Sequence, residues 1–348
     1  SWNLLTLLER YQTIDENITD GAKPFHRLPQ VELSKLNNVV NNELNYSFKL
    51  QATRFTRDND TLTSVSKIDG ERLHSDFALS YPMQTPYGFF KPTLQLFNTQ
   101  YSYQNLDSTA VAAGYEDEVS RNLYTASIDA GLFFERNTHY FDQAWVQTLE
   151  PRILLAYTPY EDQSKIPLFD TTETSFNYGQ LFKADRYTGL DRIGDTQQLS
   201  LGLTSRFLNE FGIEIFRASI GQIHYLDDRH VELSPGDTTL ESIDTQSSSS
   251  IAGEVQWLFA EFWRFKLDSQ FNPHTSGHEE PIETASAQLN YQSPNSVLFD
   301  MNFSHVEASN QKQIGLAFFA PINDSWAVYG QKKHDIYPYS DTDLQLKE

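Results

Sequence analysis

The sequence predicts an all-β chain folded as an antiparallel, up-and-down transmembrane β-barrel of about sixteen strands. Three observations carry this reading. Apolar and polar residues alternate with a period of two from end to end, short and long connections alternate along the chain, and four of the five tryptophans stand beside short connections.

The elements follow in order. Ser1-Trp2-Asn-Leu reads as strand interior, and the first strand is expected over Trp2 to Gln12. The next apolar faces are Tyr46, Phe48, Leu50 and Ala52, then Leu73, Phe77, Leu79 and Tyr81. The clearest alternation sets Tyr124, Ala126, Ile128, Ala130, Leu132 and Phe134 against Thr125, Ser127, Asp129, Gly131, Phe133 and Glu135. A strand of about eleven residues is long enough to cross a bilayer when tilted. Leu149, Ile153 and Leu155 then face lipid while Thr148, Glu150 and Arg152 alternate inward, which suggests a lumenal ion pair between Glu150 and Arg152. Further apolar faces are Leu199, Leu201, Leu203; Trp263, Phe265, Leu267, Phe271; and Val297, Phe299, Met301, Phe303. A last strand, Leu344 to Glu348, has only begun. Because strand faces alternate strictly, Leu201, Phe265, Leu267, Phe299, Met301 and Leu316 should point outward, and Glu150, Arg152, Lys266, Asp268 and Asp300 into the concave side.

The connections separate a barrel from a sandwich. Asn209 to Gly212, Ala260 to Phe262, Ser293 to Ser296 and Pro321 to Ser325 are tight turns. Each is followed at the far end of its hairpin by a longer polar loop: Leu226 to Gln246, Asn272 to Pro281, Glu307 to Gln311 and Ile336 to Thr342, with Thr158 to Thr196 the longest of the set. A barrel with one periplasmic and one external rim gives this parity, and a Greek-key sandwich does not. Trp145 follows the connection expected over Asn137 to Ala144, Trp257 and Trp263 flank one turn, and Trp326 follows another. An interfacial girdle of amphipathic rings accounts for that placement. The loop Thr158 to Thr196 is too long to be structureless in a compact fold, and its Pro159, Tyr160, Pro167, Phe169, Phe176, Phe182 and Tyr187 can pack, so it should be ordered.

Composition narrows the function classes. No run approaches the ~20 apolar residues of a spanning helix. With 47 acidic against 26 basic residues and a net charge of −21, a nucleic-acid partner is excluded. There is no cysteine, hence no disulfide framework and no thiolate metal site. His74 with Asp76, His224 near Asp227 and Asp228, and His274 with His278 lack the spacing of a nucleophile or a metalloprotease, so no enzyme, cofactor or metal site is expected. Glu279 and Glu280 beside His278 could hold a divalent cation weakly, but solvated loop acids are the plainer reading.

Four blocks occur in fixed order. Gln147-Thr-Leu-Glu-Pro-Arg152 runs on through Tyr157, Pro159, Tyr160, Asp162, Gln163 and Ser164 to Phe169-Asp170, and is followed by Gly189-Leu-Asp-Arg-Ile-Gly-Asp195, Leu203-Thr-Ser-Arg206 and Ala218-Ser-Ile-Gly-Gln-Ile-His-Tyr225. Tyr11-Gln-Thr-Ile-Asp15 and Arg27-Leu-Pro-Gln30 precede them. Together they resemble the barrel domain of the LptD family, the outer-membrane lipopolysaccharide-assembly proteins once named for organic-solvent tolerance. The resemblance covers nearly the whole chain and implies that residues 1–348 are the central part of a larger barrel. It further implies a translocon inserting lipopolysaccharide into the outer leaflet, with the lipoprotein LptE inside the barrel, outer-membrane lipid around it, and an LptA bridge reached through a periplasmic jellyroll that this chain lacks. The terminal strands, their lateral gate and the family's paired cysteines would also lie outside it. A general porin or importer is the alternative, and an outer-membrane lipase or protease would need a site that is not found. On the family reading, Asp162, Tyr187, Asp191, Arg192 and Asp195 in the long loop should contact LptE or form a plug, with the first and last strands left as unpaired edges or a seam.

Overall fold

A computed structural model describes residues 2–14, 18–37, 43–57, 62–140, 143–233, 243–275 and 280–336. One antiparallel sheet contains β1 (Trp2–Glu9), β2 (His26–Asn37), β3 (Asn45–Thr56), β4 (Asp69–Ser80), β5 (Gly88–Gln104), β6 (Glu118–Leu132), β7 (Gln143–Thr158) and β8 (Thr196–Leu208). It continues with β9 (Glu214–Tyr225), β10 (Ile251–Ala260), β11 (Trp263–Phe271), β12 (Ile282–Gln292), β13 (Leu298–Val306), β14 (Gln311–Asn323) and β15 (Trp326–Asp335). Met83–Thr85 prolongs β4 and Phe134–Tyr140 prolongs β6 without a change of register, so the seventeen segments of the sheet make fifteen crossings. Every strand pairs with its neighbours in chain order, which is the up-and-down arrangement.

Connection lengths alternate around the sheet. One rim carries the short links 86–87, 209–213, 261–262, 293–297 and 324–325, and the other carries 10–25, 57–68, 105–117, 159–195, 226–250 and 272–281, with the brief 307–310 closing the same series. The link expected over Asn137 to Ala144 is mostly strand. Asn137 pairs with Val146 and Tyr140 with Gln143, because ladder bonds and the Arg136 to Gln147 Oε1 contacts (2.8 and 2.6 Å) carry the register through a stretch lacking apolar alternation. All five tryptophans, Trp2 included, lie at short-rim strand ends and on one face, opposite Lys35, Thr138, Phe265, Tyr291 and Asn323 respectively. The Lys35 ammonium on that face reaches to 5.2 Å from both the Trp2 and Tyr46 ring centroids, an aliphatic stem laid on apolar surface with its charge turned to an aromatic face.

The register assigns the two faces. Leu201, Phe265, Leu267, Phe299, Met301 and Leu316 share the convex face, through the pairs Leu201↔Ile153, Val255↔Leu267, Leu289↔Met301 and Met301↔Leu316. Asp268 pairs with Glu254, Glu254 with Ser219 and Ser219 with Thr204, and Thr204 is concave because the long loop touches it. Asp300 pairs with Asn290 and Asn290 with Arg264 on that same concave side. Apolar side chains such as Leu96, Leu201, Ile220 and Leu316 are exposed on the convex face, the inverse of a water-soluble sheet.

Among the described residues β1 pairs only with β2 and β15 only with β14, so the sheet is an open, incomplete barrel wall. The first strand is thus paired along one edge, and it ends at Glu9 rather than Gln12. The expected strand Leu344 to Glu348 and the loop Ile336 to Thr342 lie almost wholly outside the described residues. What is buried gathers on the concave side under the long-rim connections: Phe25, Phe55, Ile68, Tyr101, Tyr103, Ala110, Tyr115, Ile166 and Phe169 form one cluster, and Leu181, Ile223 and Ala252 a second.

Candidate functional site: a loop packed into the concave face

Residues 159–195 leave β7 at the long rim, turn inward and return to β8. Their own local structure is slight. Asp162 Oδ1 accepts from Ser164 N (2.8 Å), Thr172–Glu173 pairs with Tyr187–Thr188, and a 3-10 turn spans Gln180–Phe182. Gly189 adopts φ +75, and a Cβ there would meet the Asp170 carbonyl oxygen at 2.5 Å, so glycine is required where the chain doubles back. The loop is held by the wall.

Its first half is fixed by two buried arginines. Arg72 on β4 donates from Nη1 and Nη2 to the two oxygens of Asp170 (2.8 and 2.7 Å), from Nη1 to Asp191 Oδ1 (2.7 Å) and from Nη2 to Gln51 (3.0 Å). Asp191 Oδ2 accepts the Phe169 and Asp170 amides, both at 2.8 Å. Arg121 on β6 donates to Gln163 Oε1 (2.6 Å) and to the carbonyls of Leu190 (2.6 Å) and Asp191 (2.9 Å). Gln163 in turn bonds both the amide and the carbonyl of Ile193 (3.0 and 2.8 Å). A buried charge pair of this kind persists only when its remaining lone pairs are satisfied, and here backbone amides satisfy them. Burial pushes Asp191 above the usual carboxylate range and Asp170 beside it adds to that, while Arg72 opposes; Asp170 itself, despite burial, is held below that range by its Arg72 bonds.

Side chains complete the seat. Phe169 stacks on Phe55 (4.7 Å between centroids, 8°) and meets Phe25 edge-on (4.9 Å). It lies over Gly70, where a Cβ would approach its ring to 2.6 Å. Further along, Phe182 and Tyr178 lie over Gly202 (2.5 and 2.8 Å to a built Cβ), and Leu181 over Gly221 (2.6 Å). The Arg152 guanidinium sits 4.0 Å from the Phe182 centroid, and Tyr178 Oη meets Thr204 Oγ1 at 2.9 Å. Gln270 on β11 bonds the Phe176 carbonyl and Phe169 stacks on Phe55 of β3, so one loop touches the wall from β3 to β11.

The end of the loop grips the next connection. Asp195 accepts the His230 amide (2.7 Å), the Val231 amide (3.0 Å) and Arg186 Nη2 (3.1 Å). Burial alone would raise this carboxyl, but those amides and Arg186 outweigh it and hold it below the usual range. Arg192 Nε donates to the Glu232 carbonyl (2.9 Å), and Tyr187 Oη to the Val231 carbonyl (2.7 Å).

The residues singled out from sequence therefore separate. Tyr187, Asp191, Arg192 and Asp195 are buried anchors within the loop and its neighbours, and Asp162 is exposed. Glu150 and Arg152 are concave but do not pair with each other. Arg152 pairs with Asp129 (2.7 Å) and Glu150 with Arg206 (3.0 Å), because each meets an opposite charge at a diagonal position on the neighbouring strand, within reach of a long side chain. Arg206 also meets Glu214 (2.9 Å), and Arg217 meets Glu254 (3.3 Å), forming a charged belt over β7 to β10. His74 bonds Thr99 (2.9 Å) and His274 bonds Ser248 (2.8 Å). Sequence reasoning missed Arg72 and Arg121. Their inward parity, on faces shared with His74 and Thr125, was the available signal. Glu280, His305 and Glu307 are the group among the described residues whose ligand atoms converge closely enough for a metal ion.

Comparison with known proteins follows the same span. The family model LptD, described as LPS transport system D, matches residues 1–326. An LPS-assembly protein LptD of Pseudomonas putida is 36% identical over 79% of this chain and 33% of its own length. Those of Nitrosococcus oceani and Alcanivorax borkumensis are 33% and 31% identical, over 95% and 97% of this chain and 42% of theirs. The chain thus spans well under half the length of these relatives.

Proposed function

Since the chain belongs to the LptD family, we propose that it supplies the curved wall and internal plug of an outer-membrane translocon that moves lipopolysaccharide to the outer leaflet. The observation that carries this reading is the 159–195 loop locked onto the concave face by Arg72 and Arg121, inside a wall whose convex side is apolar. An amphipathic cargo needs both surfaces: a polar interior for its sugar and an apolar exterior for its acyl chains. The belt Glu150, Arg206, Glu214, Arg217 and Glu254 gives the interior its polarity, and the plug seals it between transport events. The work is binding and passage, without covalent chemistry.

The family resemblance supplies a partner, the lipoprotein LptE, and the plug leaves the concave face of β12 to β15 uncovered to receive it. Phe319 and Tyr329 pair on that face, and Tyr329 is 79% exposed, an aromatic left bare where a protein partner would pack. The five short-rim tryptophans, Trp2, Trp145, Trp257, Trp263 and Trp326, are read as the interfacial girdle.

Photocrosslinking in cells carrying the full-length protein tests the proposal. Probes at concave Tyr329 and Lys266 should capture LptE or lipopolysaccharide, whereas a probe at convex Leu201 should capture neither LptE nor sugar-bearing material. Equal capture from both faces, or unchanged surface lipopolysaccharide after depletion of the protein, would overturn it.

A further inference from the structure

Away from the plug, three ligand-bearing side chains meet where the long rim joins β12, β13 and β14. Glu280 stands just before β12, His305 near the end of β13, and Glu307 in the one-turn 3-10 helix Glu307–Ser309. His305 Nε2 lies 3.5 Å from Glu307 Oε2 and 3.8 Å from Glu280 Oε2, and one ligand atom from each residue falls within 4.8 Å of the others. Acidic groups alone would mean little on a chain this acidic. The histidine changes that: it is only 6% exposed, and neither ring nitrogen has a hydrogen-bond partner among the described residues. A buried imidazole left without partners is destabilising, so a ligand that satisfies it is favoured. Here its Nε2 stands between two carboxylates without forming a hydrogen bond to either.

We propose that Glu280, His305 and Glu307 bind a zinc-type divalent cation. Zinc holds imidazole nitrogen and carboxylate oxygen at roughly 2.0–2.2 Å, which places ligand atoms about 3.3 Å apart across a tetrahedral ion. The two histidine–carboxylate separations, 3.5 and 3.8 Å, already lie near that value, and the glutamate side chains can rotate to close the rest. One imidazole with two carboxylates suits zinc or a neighbouring first-row ion, whereas calcium and magnesium prefer all-oxygen sets. Lys312, paired opposite His305, holds its ammonium 3.7 Å from Glu280 Oε2 and is the cation that the metal would displace. Occupied, the site clamps the 272–281 connection to the 307–310 turn, so that two adjacent hairpins of the long rim share one ligand.

The test uses the full-length protein in detergent, stripped with chelator and titrated with zinc against a chromophoric competitor. One equivalent should bind, with affinity falling at least about tenfold in both His305→Gln and Glu307→Gln and holding or rising in Lys312→Ala. Heat-modifiable gel mobility identifies folded barrels; should His305→Gln fail that check, Glu307→Gln, on the loop, decides the matter. Wild-type affinity in folded Glu307→Gln or His305→Gln, stronger binding of calcium than of zinc, or no stoichiometric binding to the wild type would each overturn the proposal.

Discussion

Arg72→Ala is the sharpest probe of the plug. The substitution removes four hydrogen bonds to Asp170, Asp191 and Gln51, and it leaves two carboxylates facing a space vacated under Phe55. Taking one partner from a buried ion pair costs about 3–5 kcal/mol, because the remaining charge keeps its desolvation penalty. That cost falls on the packed loop and not on the ladder bonds of β4, so local opening of the loop becomes easier while the wall stays paired. At about 1.4 kcal/mol per tenfold, amide exchange in residues 163–193 should accelerate on the order of a hundredfold to a few thousandfold. Strand amides of β12 serve as the unaffected reference. In Arg72→Met with Asp170→Asn and Asp191→Asn, the charges are removed together, and most of the protection should return. Loop exchange within about threefold of wild type in folded Arg72→Ala would refute the reasoning, as would a triple variant that exchanges as fast as the single one.

Three further outcomes are expected. Gly202→Ala places a methyl within 2.5 Å of Phe182 and should lift the plug's second half, raising entry of large antibiotics, whereas Gly253→Ala, with nothing within 4 Å, should leave permeability unchanged. Asp195 is held below its ordinary range, so its contribution is complete above about pH 4 and is lost only as pH falls through the lowered value; the protection factors of the His230 and Val231 amides, corrected for intrinsic exchange, should show that acid loss in wild type and stay nearly level with pH in Asp195→Asn. Arg192→Ala removes the Nε bond to the Glu232 carbonyl and should loosen the 226–233 connection, lowering LptE recovery in pull-downs by several-fold while insertion, read by heat-modifiable mobility, persists.

Strand order, face assignment and rim parity were legible because the period-2 pattern and the turn lengths are local properties of the chain. The orderliness of the 159–195 loop was legible too, from its aromatic and proline content. Its anchors were only half visible. Asp191 and Asp195 stand out in the Gly189 to Asp195 block, but Arg72 lies more than a hundred residues before Asp191, and no local pattern links them. Glu150 and Arg152 invited pairing through their spacing, yet each found its partner on a neighbouring strand, Arg206 and Asp129 respectively. The Glu280 and His305 convergence was hidden for the same reason: sequence proximity pointed to His278, which lies outside the described residues, whereas the register of β12 and β13 brings in His305.

The reach of the 159–195 loop has a consequence for assembly order. A segment emerging between β7 and β8 makes contacts as far back as Phe169 to Phe55 and Phe25, and as far forward as Phe176 to Gln270. Those contacts require strands on both sides of the segment to be present and already curled. The loop cannot settle while the chain is being delivered strand by strand, since β11 arrives some 70 residues after it; long-range closures of this kind come late in folding. Settling of the loop therefore reports that the wall has reached the curvature these contacts need. A sheet that paired correctly but stayed too flat would keep every ladder bond and still leave Phe176 short of Gln270.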